Sequence, residues 1–198
     1  MITAILLIFG PSGTWDRIAL AKRSVIWILF LFLAPMILVS VGVELAGMAR
    51  WGKLQSFGIL VQIPQKRILI YGAVELVLDF AVAFIAARMI KSITGTFVPR
   101  HTYSSAFALV SYGLSPLFLV HLLDALPRMY PWVSFGIGIV LAITVVYSGV
   151  PRLMEPDPPN AFGVFIASSF LLLGLMGVAR LATLFVLMGK FDSLGSAG

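Results

Sequence analysis

Five stretches of the chain stay apolar for long enough to cross a bilayer. A helix rises about 1.5 Å per residue and needs about 20 apolar residues to span the hydrocarbon core. The stretches run about 24–45, 68–90, 107–126, 131–150 and 161–188, and the last is long enough to tilt. Lipid offers no hydrogen-bond partner, so every backbone polar group must be paired within its own segment and each stretch predicts an α-helix. The fold class is therefore all-α: a polytopic integral membrane protein, with a bundle of five transmembrane helices over residues 24–188.

Residues 1–23 read as an N-terminal interfacial or juxtamembrane segment. Met1–Phe9 is apolar but short, and Gly10-Pro11-Ser12-Gly13 breaks it. It has neither a basic start nor a small-residue cleavage site, so it does not read as a signal peptide. Trp15, Ile18 and Lys22 then fall at helical spacing, which fits an interfacial helix or a plain extension of the first span. The link 46–67 carries Arg50, Lys53, Lys66 and Arg67. Its run Phe57–Ile63, closed by Pro64, is too short to cross and reads as a strand, a hairpin arm or a surface loop. Pro127-Arg128-Met129-Tyr130 is a tight turn, the link 151–160 is rich in proline, and residues 189–198 read as a flexible tail. Trp51, Tyr130 and Trp132 fall where interfacial aromatics belong.

Composition agrees with the pattern. Only 11% of residues are charged, against about 25% in an ordinary soluble domain. The net charge of +6 is spread over the ends of apolar runs, where cations meet lipid head groups and set orientation. No basic stripe is long enough to track phosphates, so no nucleic-acid partner is expected. The absence of cysteine excludes disulfides, thiol catalysis and cysteine-ligated metals. Five spans put the termini on opposite sides. The N-terminal side receives Arg17, Lys22, Arg23, Arg88, Lys91, Arg100 and Arg152. The other side receives Arg50, Lys53, Lys66, Arg67, Arg128 and Lys190. The balance is near even, and the three cations before the first span favour a cytoplasmic N-terminus.

Ionisable groups inside lipid are costly, and each raises a functional question. The second stretch carries Glu75 and Asp79 on one helix face; the third carries His121 and Asp124, also on one face; the fifth carries Arg180. Counted from the ends of their stretches, Glu75 lies roughly 10 Å deep, Asp79 roughly 16 Å, His121 roughly 8 Å and Arg180 roughly 12 Å, with Asp124 near the rim. A shared cluster in one half of the membrane is therefore geometrically open. It reads either as a structural ion-pair network, with Arg180 neutralising an acid, or as a proton, cation or substrate site. Gly72, Glu75, Asp79, Ala83 and Ala86 make one stripe of small and acidic residues, which suits packing against other helices. A single histidine in the group argues against a metal, and none is expected.

Ser134, Gly138 and Ala142 give a small-residue face on the fourth stretch, and Gly163 and Ala167 on the fifth. Pro116 should kink the third stretch. Soluble-enzyme chemistry is missing: Gly10-Pro11-Ser12-Gly13 lacks the lysine of a phosphate loop, there is no G-x-S-x-G elbow, and His101 and His121 are too few for zinc motifs. No cofactor is expected.

Three motifs carry a resemblance: Phe9-Gly10-Pro11-Ser12-Gly13-Thr14-Trp15; the segment from Ala106 to Pro116; and Tyr147-Ser148-Gly149-Val150-Pro151-Arg152-Leu153-Met154. With their order and five spans, the chain resembles the Yip (Ypt-interacting protein) family, its small bacterial branch in particular. The resemblance implies a five-helix membrane domain with a cytoplasmic N-terminus, here in a bacterial inner membrane. Eukaryotic relatives are associated with Rab GTPases and vesicle traffic. Their long hydrophilic N-terminal region and Asp-Leu-Tyr-Gly type motif do not occur in this sequence, and the family offers no catalytic residues to carry over. The expectation is a non-enzymatic scaffold or adaptor for membrane partners, in contact with the bilayer and with a membrane protein or further copies of itself. The alternative is a small transporter or channel using the acidic and histidine cluster. A lipid-acting enzyme with His121 and Asp124 as base would lack a nucleophile and a metal set.

Overall fold

The computed structural model describes residues 2–54, 60–95, 102–157 and 159–188. Two short helices, α1 (Ile2–Phe9) and α2 (Pro11–Ala21), precede the five long ones. These are α3 (Val25–Trp51), α4 (Gln65–Thr94), α5 (Tyr103–Ala125), α6 (Pro131–Leu153) and α7 (Ala161–Leu187), each long and apolar enough to cross a membrane. The tail 189–198 and His101 lie outside the described residues, as does most of the Phe57–Ile63 run. Of that run, Leu60–Val61 forms strand β2, antiparallel to β1 (Lys53–Leu54), in the register Lys53 to Val61 and Leu54 to Leu60. This two-residue ladder leaves the fold all-α.

α5 is the central helix. Seventy-eight per cent of its most apolar window is buried inside the protein, against 33–39% for the other four long helices. It packs against α3, α4 and α6, while α7 closes the bundle against α4 and α6. The outward faces are apolar, with Phe30, Leu31, Val140, Phe170 and Val178 all well exposed, as a lipid-facing surface requires. Ser134, Gly138 and Ala142 are turned inward: a Cβ on Gly138 would stand 2.8 Å from a Leu117 methyl, so the small face is spent on α5.

Two prolines shape the long helices. In α3 the chain widens into a π-helical turn at Leu29–Leu33 just before Pro35, the usual accommodation of a residue with no N–H and a bulky ring. In α5 the helix is interrupted at Leu114, and Pro116 opens the next segment. Pro116 donates nothing to the Tyr112 carbonyl four residues back, and the Ser115 hydroxyl donates to that carbonyl instead, at 2.7 Å.

The N-terminal helices are part of the core. Ala4 and Leu7 of α1 and Trp15 and Ile18 of α2 are buried, and α2 lies along α6. The apolar side of α2, which spacing alone would send to lipid, faces protein.

Candidate functional site: a buried ion-pair network

The polar residues of the membrane half distal to the N-terminus meet at one place. Close backbone approaches bring them there. Gly47 of α3 sits on the end of α5: a Cβ there would lie 2.5 Å from the Ala125 carbonyl oxygen. Gly72 of α4 receives the Leu45 side chain of α3, whose nearest carbon would be 2.5 Å from an added Cβ. With α3, α4 and the end of α5 this close, Glu44, Tyr71, Glu75, His121 and Asp124 share one interior.

Arg180 of α7 is the hub. Its Nη2 pairs with Asp124 Oδ2. Its Nη1 lies 3.4 Å from Glu75 Oε1, 3.9 Å from Glu44 Oε2 and 2.7 Å from His121 Nε2. His121 Nε2 is also 2.7 Å from Glu44 Oε2, 3.3 Å from Glu75 Oε1 and 3.4 Å from Asp124 Oδ2. One imidazole nitrogen thus faces a donor and an acceptor at the same distance. A proton on Nε2 serves Glu44, and a bare Nε2 serves Arg180. Tyr71 Oη stands 3.1 and 3.2 Å from the two Glu44 oxygens and accepts from Arg180 Nη1 at 3.3 Å. Glu44 is fully buried and ion-paired to Lys53, which Gly52 (φ +77°) and β1 turn back from the end of α3. The Ser134 hydroxyl of α6 donates to Asp124 Oδ1. The network therefore holds side chains from all five long helices.

Of the five residues singled out from the sequence, the structure puts Glu75, His121, Asp124 and Arg180 in direct contact. Asp124, near the rim by residue count, is 5% exposed and paired on both carboxylate oxygens. Asp79 is buried beside them, but its Oδ2 has no hydrogen-bond partner among the described residues, and neither has Glu75 Oε2. Both residues line a pocket between α4, α5, α6 and α7, with Leu117, Phe118 and Met176 among its walls. Its volume is about 460 Å³, part of it open to the outside, which leaves room for water.

Sequence reasoning missed Glu44, Lys53, Tyr71 and Ser134. Glu44 was within reach, since it falls inside the first apolar stretch. Lys53 was not, because only the turn at Gly52 returns a loop cation to the interior. Tyr71 is uncharged and does not stand out in an apolar stretch, and Ser134 reads as a small packing residue.

Glu44, His121 and Asp124 also offer one ligand atom each within 4.8 Å of one another, a spacing a metal ion could use. The Arg180 guanidinium already lies against two of those atoms. A cation would have to displace it, so this donor set fits an ion-pair network better than a metal centre.

Comparison with curated proteins gives no match, and comparison with solved structures gives none. The family model of the Yip1 domain matches residues 5–181, from α1 through Arg180. The chain belongs to the Yip1 domain family, as a membrane protein of five apolar helices.

Proposed function

We propose that this protein is a non-enzymatic membrane scaffold or adaptor that binds other membrane proteins through the outward face of α7. One observation carries the reading. Gly163, Gly174 and Gly177 lie on that face with nothing within 4 Å of an added Cβ. Ala167 and Phe170 share the face at spacings of three and four, and Phe170 is 75% exposed. A ridge-forming phenylalanine between glycine hollows is a surface on which a second helix can seat closely. The buried charges meanwhile are engaged in joining the protein's own helices, which supports a structural role for them.

The orientation that goes with this reading has the N-terminus in the cytoplasm, here of a bacterial inner membrane. By chain order seven cations fall on the N-terminal side and six on the far side, and one of those six, Lys53, is buried against Glu44.

The test is affinity purification from native membranes in mild detergent, with mass spectrometry of what accompanies the protein. A stoichiometric membrane-protein partner supports the adaptor. Recovery of the chain alone, as a monomer, argues against it.

A second reading, a small transporter or channel, draws on the two unpartnered carboxylate oxygens that face a pocket with room for water. Ion or proton flux into proteoliposomes, lost in Asp79→Asn, would favour it. Flux equal to that of empty liposomes would remove it. Glu75→Gln with unchanged flux and partner binding but lower thermal stability would leave that residue a structural role only.

A further inference from the structure

Among the described residues the buried charges do not balance. Glu44, Glu75, Asp79 and Asp124 bring four carboxyl groups to the interior; Arg180 and Lys53 bring two fixed cations, and His121 at most a third. At least one carboxyl group therefore has no cation of its own. The contacts identify which. Asp124 has Arg180, Glu44 has Lys53 and His121, and Glu75 has Arg180 and His121 through Oε1. Asp79 has none of these among the described residues, is 5% exposed, and leaves Oδ2 unpartnered at the pocket wall. An ionised carboxylate in that setting would be unpaired in the membrane interior, which favours the neutral acid strongly.

We propose that the pocket between α4, α5, α6 and α7 is a proton-binding site, with Asp79 as the group that takes and releases the proton. Asp79 lines this pocket, which has space for water. A hydronium there gives its proton to the Asp79 carboxylate, an O–H bond forms on the carboxyl group, and water is left. Release reverses the step. The new O–H is a donor that the carboxylate lacked, in a pocket that Glu75, with Oε2 unpartnered among the described residues, also lines. The charged and titratable groups around Asp79 are Tyr71 and Glu75 on its own helix, Glu44 with Lys53 from α3, His121 and Asp124 from α5, and Arg180 from α7; α6 presents Ser134, which does not titrate. Among the carboxyl groups of the described residues, Asp79 combines burial with the absence of an ion pair. The assignment does not rest on the adaptor reading.

The test is infrared spectroscopy of the full chain in lipid nanodiscs at neutral pH, in light and heavy water. The expected result is a deuterium-sensitive carbonyl band of protonated carboxylic acid. Asp79→Asn should remove one carboxyl group's intensity from it, and Glu75→Gln should leave that component in place. Asp79→Glu keeps the acid and should move the component in frequency, which assigns the band even where the asparagine variant does not fold. The proposal is overturned by absence of the band at neutral pH, or by a band that neither Asp79 variant alters. It is also overturned if the band is absent and sodium raises the thermal stability of the wild type but not of Asp79→Asn, which would make the pocket a metal-cation site.

Discussion

Trp15 of α2 donates its indole N–H to the Val145 carbonyl of α6 at 2.9 Å, 130 residues further along the chain. Val145 lies inside a helix, and its carbonyl is reachable because the residue one turn on is Gly149. A Cβ at Gly149 would stand 2.6 Å from Trp15 Cζ2. The Tyr112 ring meets the indole edge-on, 6.0 Å away at 83°. One residue later, Asp16 pairs with Arg152 at 2.7 Å. The three motifs on which the family resemblance rests thus converge on one tryptophan. The three stretches are held together by a packing junction among α2, α5 and α6.

That junction makes Gly149 intolerant of a side chain. Gly149→Val should destabilise the protein by about 1–3 kcal/mol through overpacking against the indole. Trp15→Phe should cost about 1 kcal/mol for the lost hydrogen bond, plus the packing of the missing ring. Thermal unfolding in one detergent orders the two. The informative measurement is the double variant of Gly149→Ala with Trp15→Ala: the smaller residue at 15 makes room at 149, so the two costs should add to more than the double variant shows.

The five helices were legible in the sequence because apolar length is a strong signal and lipid leaves the backbone one way to pair. The network was legible in part. Glu75, His121, Asp124 and Arg180 are ionisable residues inside apolar stretches, and depth counting brings Glu75, His121 and Arg180 to similar depths, with Asp124 nearer the rim. Glu44, inside the first apolar stretch, could have been seen; Lys53 could not, because its signal lies in a turn: Gly52 at φ +77° and a two-residue ladder return it to the interior. A loop lysine carries no mark of that in composition or spacing. The burial of Trp15 was equally invisible, since an amphipathic helix presents the same face to lipid as to protein.

Removing the hub should be costly. Arg180→Met leaves Asp124 in the interior with the Ser134 hydroxyl and no cation in direct hydrogen bond, and the expected loss is about 3–5 kcal/mol. Arg180→Lys should recover only part of it, because a point charge cannot reach Asp124 and Glu75 together from one fork. Combining Arg180→Met with Asp124→Asn should be milder than Arg180→Met alone, since the stranded charge is gone. Thermal stability of the purified variants in lipid nanodiscs tests the order. A double variant less stable than the single one would mean that Asp124 matters for something other than charge balance.

Two glycines of α3 should respond oppositely to alanine. At Gly47 a Cβ would meet the Ala125 backbone at 2.5 Å, and backbone cannot step aside as a side chain can. Gly47→Ala should cost at least about 1–3 kcal/mol and loosen the approach that sets Glu44 against His121. At Gly42 nothing lies within 4 Å of the added carbon. Gly42→Ala should be neutral or stabilising by up to about 1 kcal/mol, through the better helix propensity of alanine. Equal unfolding temperatures for the two variants would refute the close approach of α3 to the end of α5.

The outward face of α7 gives the sharpest test of the adaptor reading, because fold and association separate there. A Cβ added at Gly174 or Gly177 has nothing within 4 Å in the protein, so with leucine there the folded chain should keep its thermal stability within about 0.5 kcal/mol. A helix seated on the same face would be pushed outward by the new side chain and lose close backbone contact along the whole stripe. The double variant should therefore weaken partner or self-association at least about tenfold, equivalent to about 1.4 kcal/mol, while unfolding stays unchanged. Energy transfer between labelled proteins diluted into lipid vesicles reads the association, and thermal unfolding of the same samples reads the fold. Association unchanged in the double variant would exclude this face as the docking surface and, with it, the observation on which the adaptor reading stands.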